Sequence, residues 1–467
     1  MKMWSGRFRQ PLNPEFEHWQ RSFAYDRRLL PYELEASRAH ARALKNVGVL
    51  SAEELASTLF GLDQISEKAN QSPEYLDDPD AEDVHHFVEK QLVSMIGDTG
   101  LKLHTGRSRN EQIATDLRLF VRDSIDRLVT SLADLANTLV SRAEQACTAA
   151  MPAYTHWQKA EPVLVAHWLL AYFEMFVRDA ERLVDCRKRV NVCPLGSGAV
   201  AGATLALDRR AVAAELGFDG PTLNSMDATS DREFAIEFAN AVSLLGLHLS
   251  RWAEEMMLFS TAEFGFVRLP EAFSTGSSAM PQKKNPDLLE LTRGKASRII
   301  GDTMALMISI KGLPLAYNKD LQETQEPLFD AADTALGALP LITAWMKAAE
   351  FDYERMQAAA QSGYMNAFAA ATYLSERGVP FRSAHEMVGK AVQYGLGKKC
   401  ELHDLSLAEL KQFSPVFEQD IYARLTVASV LTIHDVTGGT APTQVKEALA
   451  AAKQKIANMR GVVHAYA

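Results

Sequence analysis

The segment Ser274 to Asp287 gathers side chains able to take up a proton and to hold a negative charge. It contains Gly276, the adjacent hydroxyls of Ser277 and Ser278, Pro281 and Pro286, the cations Lys283 and Lys284, and the amide of Asn285. Glycine and proline shape a loop, while hydroxyl, ammonium and amide groups provide a proton acceptor and donors for an anion. By residue type alone, a polar loop that caps a helix is the commoner reading. Two more polar segments have the same character: His104 to Asn110, with Arg107 and Arg109, and Tyr154 to Pro162, with Thr155 and His156.

Each segment lies just before a long stretch of helical periodicity, and free N–H groups and the macrodipole make helix N-termini attract anions. From Asn110 to Cys147 the stripe Leu117, Val121, Ser124, Leu128, Leu132, Leu135 and Leu139 recurs at steps of three and four. Phe234, Phe238, Val242, Leu245, Leu249, Trp252, Met256 and Phe259 repeat the pattern between Arg232 and Phe264, approximating the heptads of a supercoiled bundle. Pro162 to Val190 is apolar nearly all round in its first half, as a helix surrounded by helices is. Asn285-Pro286-Asp287 reads as an N-cap, a first-turn proline and a first-turn acid, opening a helix that runs past Met307. A fifth helix is expected over Glu326 to Ala349, bent or divided at Pro340. Period-two alternation is scarce, so the expected fold is all-α with little sheet. Its central long-helix bundle (111–360) is preceded by an N-terminal helical part (1–110) and followed by a small C-terminal one (361–467).

The string Gly276 to Pro286 resembles the G-S-S-x-M-P-x-K-x-N-P signature of the fumarase and aspartase superfamily, and its Gln282-Lys283-Lys284 looks like the argininosuccinate lyase version. His104 to Asn110 matches H-T-G-R-S-R-N, and Tyr154 to Pro162 resembles Y-T-H-x-Q-x-A-x-P. Weaker echoes include Trp4 to Phe8, Ser22 to Leu29, Ala81 to His85, Pro194 to Gly198, Ser230 to Arg232 and Lys311 to Asp320. The resemblance therefore covers nearly all of residues 1–400.

That resemblance implies cleavage of argininosuccinate to arginine and fumarate, without a cofactor. Ser277 would be the base and His156 the complementary acid, with Lys283 stabilising developing charge and Glu290 orienting His156. Substrate contacts carry over to Ser22, Asn110, Thr155, Tyr317 and Gln322, with Arg107, Arg232 and Asn285 as further anion or amide contacts. His85 would support the site. Gln325 departs from the pattern, because the family usually has a lysine there to pair with a substrate carboxylate. The superfamily assembles each site from three subunits, so a homotetramer with a helical core is expected.

Other chemistries lose support. Gly196-Ser197-Gly198-Ala199-Val200-Ala201-Gly202 has the wrong glycine spacing for a dinucleotide loop and follows a helix instead of a strand. No G-x-x-x-x-G-K-[ST], H-E-x-x-H or G-x-S-x-G string is present. His85 and His86 are adjacent, so on a helix they point apart, and no third ligand stands out along the chain; no metal is expected. The net charge of -10, without a basic run, argues against nucleic acid. The start lacks an apolar leader-like region and no stretch is apolar enough to span a bilayer, so a cytoplasmic protein with reduced cysteines is expected. Two further readings stay open: a lyase for another fumarate-releasing substrate, and a structural protein on the same fold.

Overall fold

The computed structural model describes residues 10–464, so the stretch 4–8 noted above lies outside the described residues. Helices of ordinary length come first, among them α1 (Leu30–Asn46) and α2 (Val84–Ile96). Asp83 caps α2 by accepting the His86 N–H at 2.7 Å. The long periodic segments then form α3 (Arg109–Ala146), α4 (Val165–Val190), α5 (Glu233–Phe259), α6 (Asp287–Ile310) and α7 (Gln325–Ala348). Every member of the α3 and α5 stripes is buried, which is why those spacings specify helices here.

Two expectations are corrected. The run beginning at Pro162 does not start a helix: an antiparallel hairpin precedes α4, with β1 (Ala150–Thr155) paired to β2 (Gln158–Leu164). Its register puts Pro152 opposite Pro162, so neither strand presents an N–H there. A short apolar run fits a buried strand as well as a buried helix, and only the pairing decides between them. Pro340 does not divide α7, which continues through it to Ala348. One missing N–H removes a single bond from a helix whose Leu339, Ile342, Trp345 and Met346 are fully buried, and packing outweighs it.

By internal contacts the chain forms two compact units, the first comprising residues up to Arg127 with Arg182–Ser243 and Arg298–Thr334, the second the remainder. In the first unit, Ala36, Ala39 and Ala43 of α1 pack with Leu119, Leu195, Val212, Leu216 and Phe218. There Arg118 donates to the carbonyls of Arg189 and Val190, both at 3.0 Å, and lies over the Phe234 ring at 4.4 Å. In the second unit, Trp252 of α5 and Trp345 of α7 meet edge to face at 5.2 Å. A further core surrounds Tyr373, Leu374, Val388, Phe417 and Ile421. All four cysteines are free, and no described helix is long and apolar enough to cross a membrane.

Because Trp345 is fully buried against Trp252, Trp345→Ala should destabilise the protein by about 3–5 kcal/mol. Urea unfolding measures this, and a loss below about 1 kcal/mol would remove the pair from the core's essential contacts.

Candidate active site

The Ser277 loop is a closed hairpin. Thr275 pairs with Asn285 and Gly276 with Lys284 in a two-residue ladder. Asp287 clamps its base, accepting the Thr275 N–H at 3.0 Å and the Thr275 hydroxyl at 2.6 Å. The Asn285 amide donates to Thr275 Oγ1 at 3.3 Å and to the Gly276 carbonyl at 3.4 Å. Inside this frame the half-buried Ser277 Oγ accepts the N–H groups of Ala279 at 3.3 Å and Met280 at 3.1 Å. Two donors on one hydroxyl oxygen stabilise negative charge on that oxygen, as a serine base requires.

This geometry corrects the expected cap. α6 begins at Asp287, and the Pro286 carbonyl accepts the N–H groups of Leu289 and Glu290 at 2.9 and 3.1 Å. Asn285 thus braces the loop instead of capping the helix. Glu290 is exposed in the first turn of α6, and Lys283 is exposed in the loop.

Thr155, His156 and Trp157 are exposed at the end of the β1–β2 hairpin. The two residues between the strands have positive φ, 54° at His156 and 58° at Trp157. A two-residue hairpin needs that backbone to match the strand twist, although neither residue is glycine. Holding side chains there costs about 1–3 kcal/mol per residue and persists only where the surroundings enforce it. The arm itself is anchored: Lys159 Nζ donates to the carbonyl of Ala359 at 2.7 Å and to Ser362 Oγ at 3.0 Å. Among the described residues, no hydrogen bond or ion pair joins Ser277, His156, Lys283 and Glu290 to one another.

The remaining predicted contacts belong to the first unit. Ser22 is buried and donates to Asp26 at 2.5 Å. Gln322 donates to the Gln20 carbonyl at 3.0 Å, and Asn110 to the Ala199 carbonyl at 3.1 Å. Arg232 is buried; its Nη1 donates to the Asp231 carbonyl at 2.7 Å, while Nε and Nη2 have no partner. Burial pulls its pKa down to about 10, against the opposing influence of Tyr317 and Asp231, and burial likewise pushes the Tyr317 hydroxyl up. Gln325 opens α7, buried, with Oε1 unpartnered. Buried groups without partners are rare in folded proteins and mark places where another molecule can supply them.

Arg107 and His85 meet in a buried polar cluster that includes two acids absent from the sequence expectation, Glu33 and Asp116. Donor atoms of Glu33, His85 and Asp116 lie within 4.8 Å of one another, a set that suits a cation by residue type. Glu33, however, is already served by protein donors: His85 Nδ1 at 2.8 Å, Ser37 Oγ at 2.6 Å and Gln112 Nε2 at 3.1 Å, with Arg107 Nη1 at 3.7 Å. The Arg107 guanidinium supplies the countercharge that a metal would bring. The available signal was polar residues inside apolar stripes, Glu33 and Ser37 on α1 and Gln112 and Asp116 on α3, each pair four apart.

Solved structures share this architecture. The EDDS lyase in complex with formate is 27% identical with a TM-score of 0.81, the match covering 98% of this chain and 95% of that one. The class II fumarase of Schistosoma mansoni, 15% identical, has the same fold at a TM-score of 0.72 over 84% of this chain and 90% of that one. Residues 6–301 match the family described as "Lyase", and residues 364–432 match "Argininosuccinate lyase C-terminal". Helical bundle, serine loop and family match together define a lyase of the fumarase and aspartase superfamily. The argininosuccinate lyase of Koribacter versatilis is 57% identical over 99% of both chains, and that of Acidobacterium capsulatum is 58% identical over 99% of this chain and 96% of its own. The chain belongs to the argininosuccinate lyase family.

Hydrogen bonds from Thr275 hold the Asp287 carboxyl below the ordinary carboxylate range. The clamp is therefore present at neutral pH and is lost only as acid protonates Asp287. Asp287→Ala should open the loop, raising the rate of proteolytic cleavage between Gly276 and Lys284 at least about tenfold. An unchanged rate would show that the ladder alone closes it.

Proposed function

We propose that this chain cleaves argininosuccinate to arginine and fumarate in arginine biosynthesis, acting in the cytoplasm as a homotetramer whose sites each draw on three subunits. The observation that carries the catalytic part is the hydroxyl of Ser277, held in a clamped loop with two backbone N–H groups directed at its oxygen. Ser277 takes the proton from the carbon beside a substrate carboxylate, and the electron pair left behind spreads onto that carboxylate. Lys283 and the loop N–H groups stabilise the negative charge. The pair then forms the carbon–carbon double bond as the bond to the guanidinium nitrogen breaks. His156 delivers a proton to the departing nitrogen, and Glu290 orients the imidazole. Arginine leaves with that proton and fumarate with the new double bond; the proton now on Ser277 and the one given up by His156 are exchanged with solvent, which returns both groups to their starting states.

Binding falls to Ser22, Asn110, Thr155, Tyr317, Gln322 and Gln325, with Arg107, Arg232 and Asn285 meeting the carboxylates. The unpartnered N–H groups of buried Arg232 favour such a role, because an anion would satisfy both. Assembly is supported by α6, where Ile300, Met304, Met307 and Ile308 form an exposed apolar stripe at helical spacing. A second copy is the occupant that fits a bundle helix of this kind. The exposed His156 arm and Lys283 loop are likewise suited to completing a site on a neighbouring subunit.

Incubating the purified protein with argininosuccinate, adenylosuccinate, aspartate and malate, and following fumarate absorbance, tests the reading. Fumarate should appear from argininosuccinate alone. Release only from another compound would reassign the substrate, and release from none would favour a structural role. Ser277→Ala should lower kcat by about a thousandfold or more while substrate Kd changes less than about tenfold; activity kept within about tenfold would remove Ser277 as the base. If Gln325 faces a substrate carboxylate, Gln325→Lys should lower KM by about tenfold through a charge-assisted bond. Unchanged KM and kcat/KM would place the carboxylate elsewhere.

A further inference from the structure

In the first unit, Glu33 has several protein donors directed at it. Its carboxylate is 0% exposed on α1 and receives His85 of α2, Ser37 of its own helix and Gln112 of α3. Arg107 donates to Ser37 Oγ at 2.9 Å, so that hydroxyl links the guanidinium to Glu33, whose own oxygen is 3.7 Å away. Asp116, equally buried, lies 3.7 Å from His85 Nδ1 and shares a side-chain hydrogen bond with Glu33. Arg107 Nε and His85 Nε2 are buried and unpartnered.

The charges sort themselves by environment. Burial opposes an ionised Glu33, but His85 and Arg107 hold its pKa down to about 2. Burial and the neighbouring Glu33 push Asp116 well above the ordinary carboxylate range, which favours its neutral form. Burial opposes a charged His85, yet the Glu33 carboxylate raises its pKa. The cluster thus favours the charged form of Glu33 and the neutral form of Asp116.

We propose that Glu33 is a positioning residue for the lyase reaction: through Ser37 and His85 its carboxylate fixes the Arg107 guanidinium and the His85 ring, leaving Arg107 Nε and His85 Nε2 free for an anionic substrate. The proposal rests on the reading of Arg107 as a substrate contact. Glu33 acts through other residues and touches no reacting atom. Asp116 stands 3.7 Å from His85 Nδ1, beyond hydrogen-bond reach, where Glu33 stands at 2.8 Å, so the charge of Asp116 is dispensable where that of Glu33 is not.

The test compares variants in the intact enzyme with argininosuccinate as substrate. Glu33→Gln should raise KM about tenfold or more with kcat within about threefold, as a misaimed binding cation does. Glu33→Asp, which keeps the charge, should recover most of that loss. Asp116→Asn should change either constant by less than about threefold. In the double variant, Glu33→Gln should add nothing to Arg107→Gln, since a residue acting through Arg107 has no effect once Arg107 is gone. Additive losses in KM, or Asp116→Asn as damaging as Glu33→Gln, would overturn the proposal. If the unaltered protein releases no fumarate from argininosuccinate, the activity reading fails by itself, and the same coupling is read in Tm. Glu33→Gln should then lower Tm more than the double variant does, because a buried guanidinium left without its anion is worse than none; additive falls in Tm would again overturn it.

Discussion

Long helices must bury a continuous apolar stripe along their whole length, and the rest of this structure depends on that requirement. α3, with 38 residues, extends about 57 Å at the usual helical rise, farther than a small domain can cover. Its stripe stays buried from Leu117 to Leu139 because other long helices have matching stripes, as α5 does from Phe234 to Phe259. The interlocking is strong enough to keep α7 helical through Pro340 and to bury two tryptophans against each other.

A bundle packed in this way leaves little room for polar chemistry within its stripes. The candidate catalytic groups therefore stand where helices end or strands turn: Ser277 and Lys283 before α6, and His156 at the tip of the β1–β2 hairpin. These exposed segments cannot rely on burial for their shape. The Ser277 loop depends instead on a short ladder, the Asp287 clamp and the Asn285 amide. The histidine arm depends on Lys159 and on two left-handed residues.

Polar residues that do enter the interior come with countercharges. Arg118 has two carbonyls and Asp231, Arg187 has Asp126 at 2.7 Å, and Glu33 has His85, Ser37 and Gln112. An uncompensated charge at such depth would unfold or neutralise itself. Several buried polar atoms have no partner; of these, Arg232 Nε and Nη2, Arg107 Nε and Gln325 Oε1 lie at positions that the family resemblance assigns to substrate, whereas Arg118 Nε and Ser124 Oγ do not. Unsatisfied polar groups at the substrate positions fit a protein that reserves its strongest interactions for the molecule it binds.

From the sequence alone, the helical class, the stripes of α3 and α5, the serine loop and the family could all be read, because each is written in local spacing or in a contiguous string. Only tertiary structure decided the rest. Val163 and Leu164 are strand residues because β1 lies beside them, which no periodicity of their own could reveal. Asn285 braces a loop because Thr275 comes back to meet it. Glu33 and Asp116 stand 83 positions apart and become one cluster with His85 because three helices converge. Local pattern sets what an element is, whereas a side chain's partner, and with it its charge and its task, is set by residues remote in the chain.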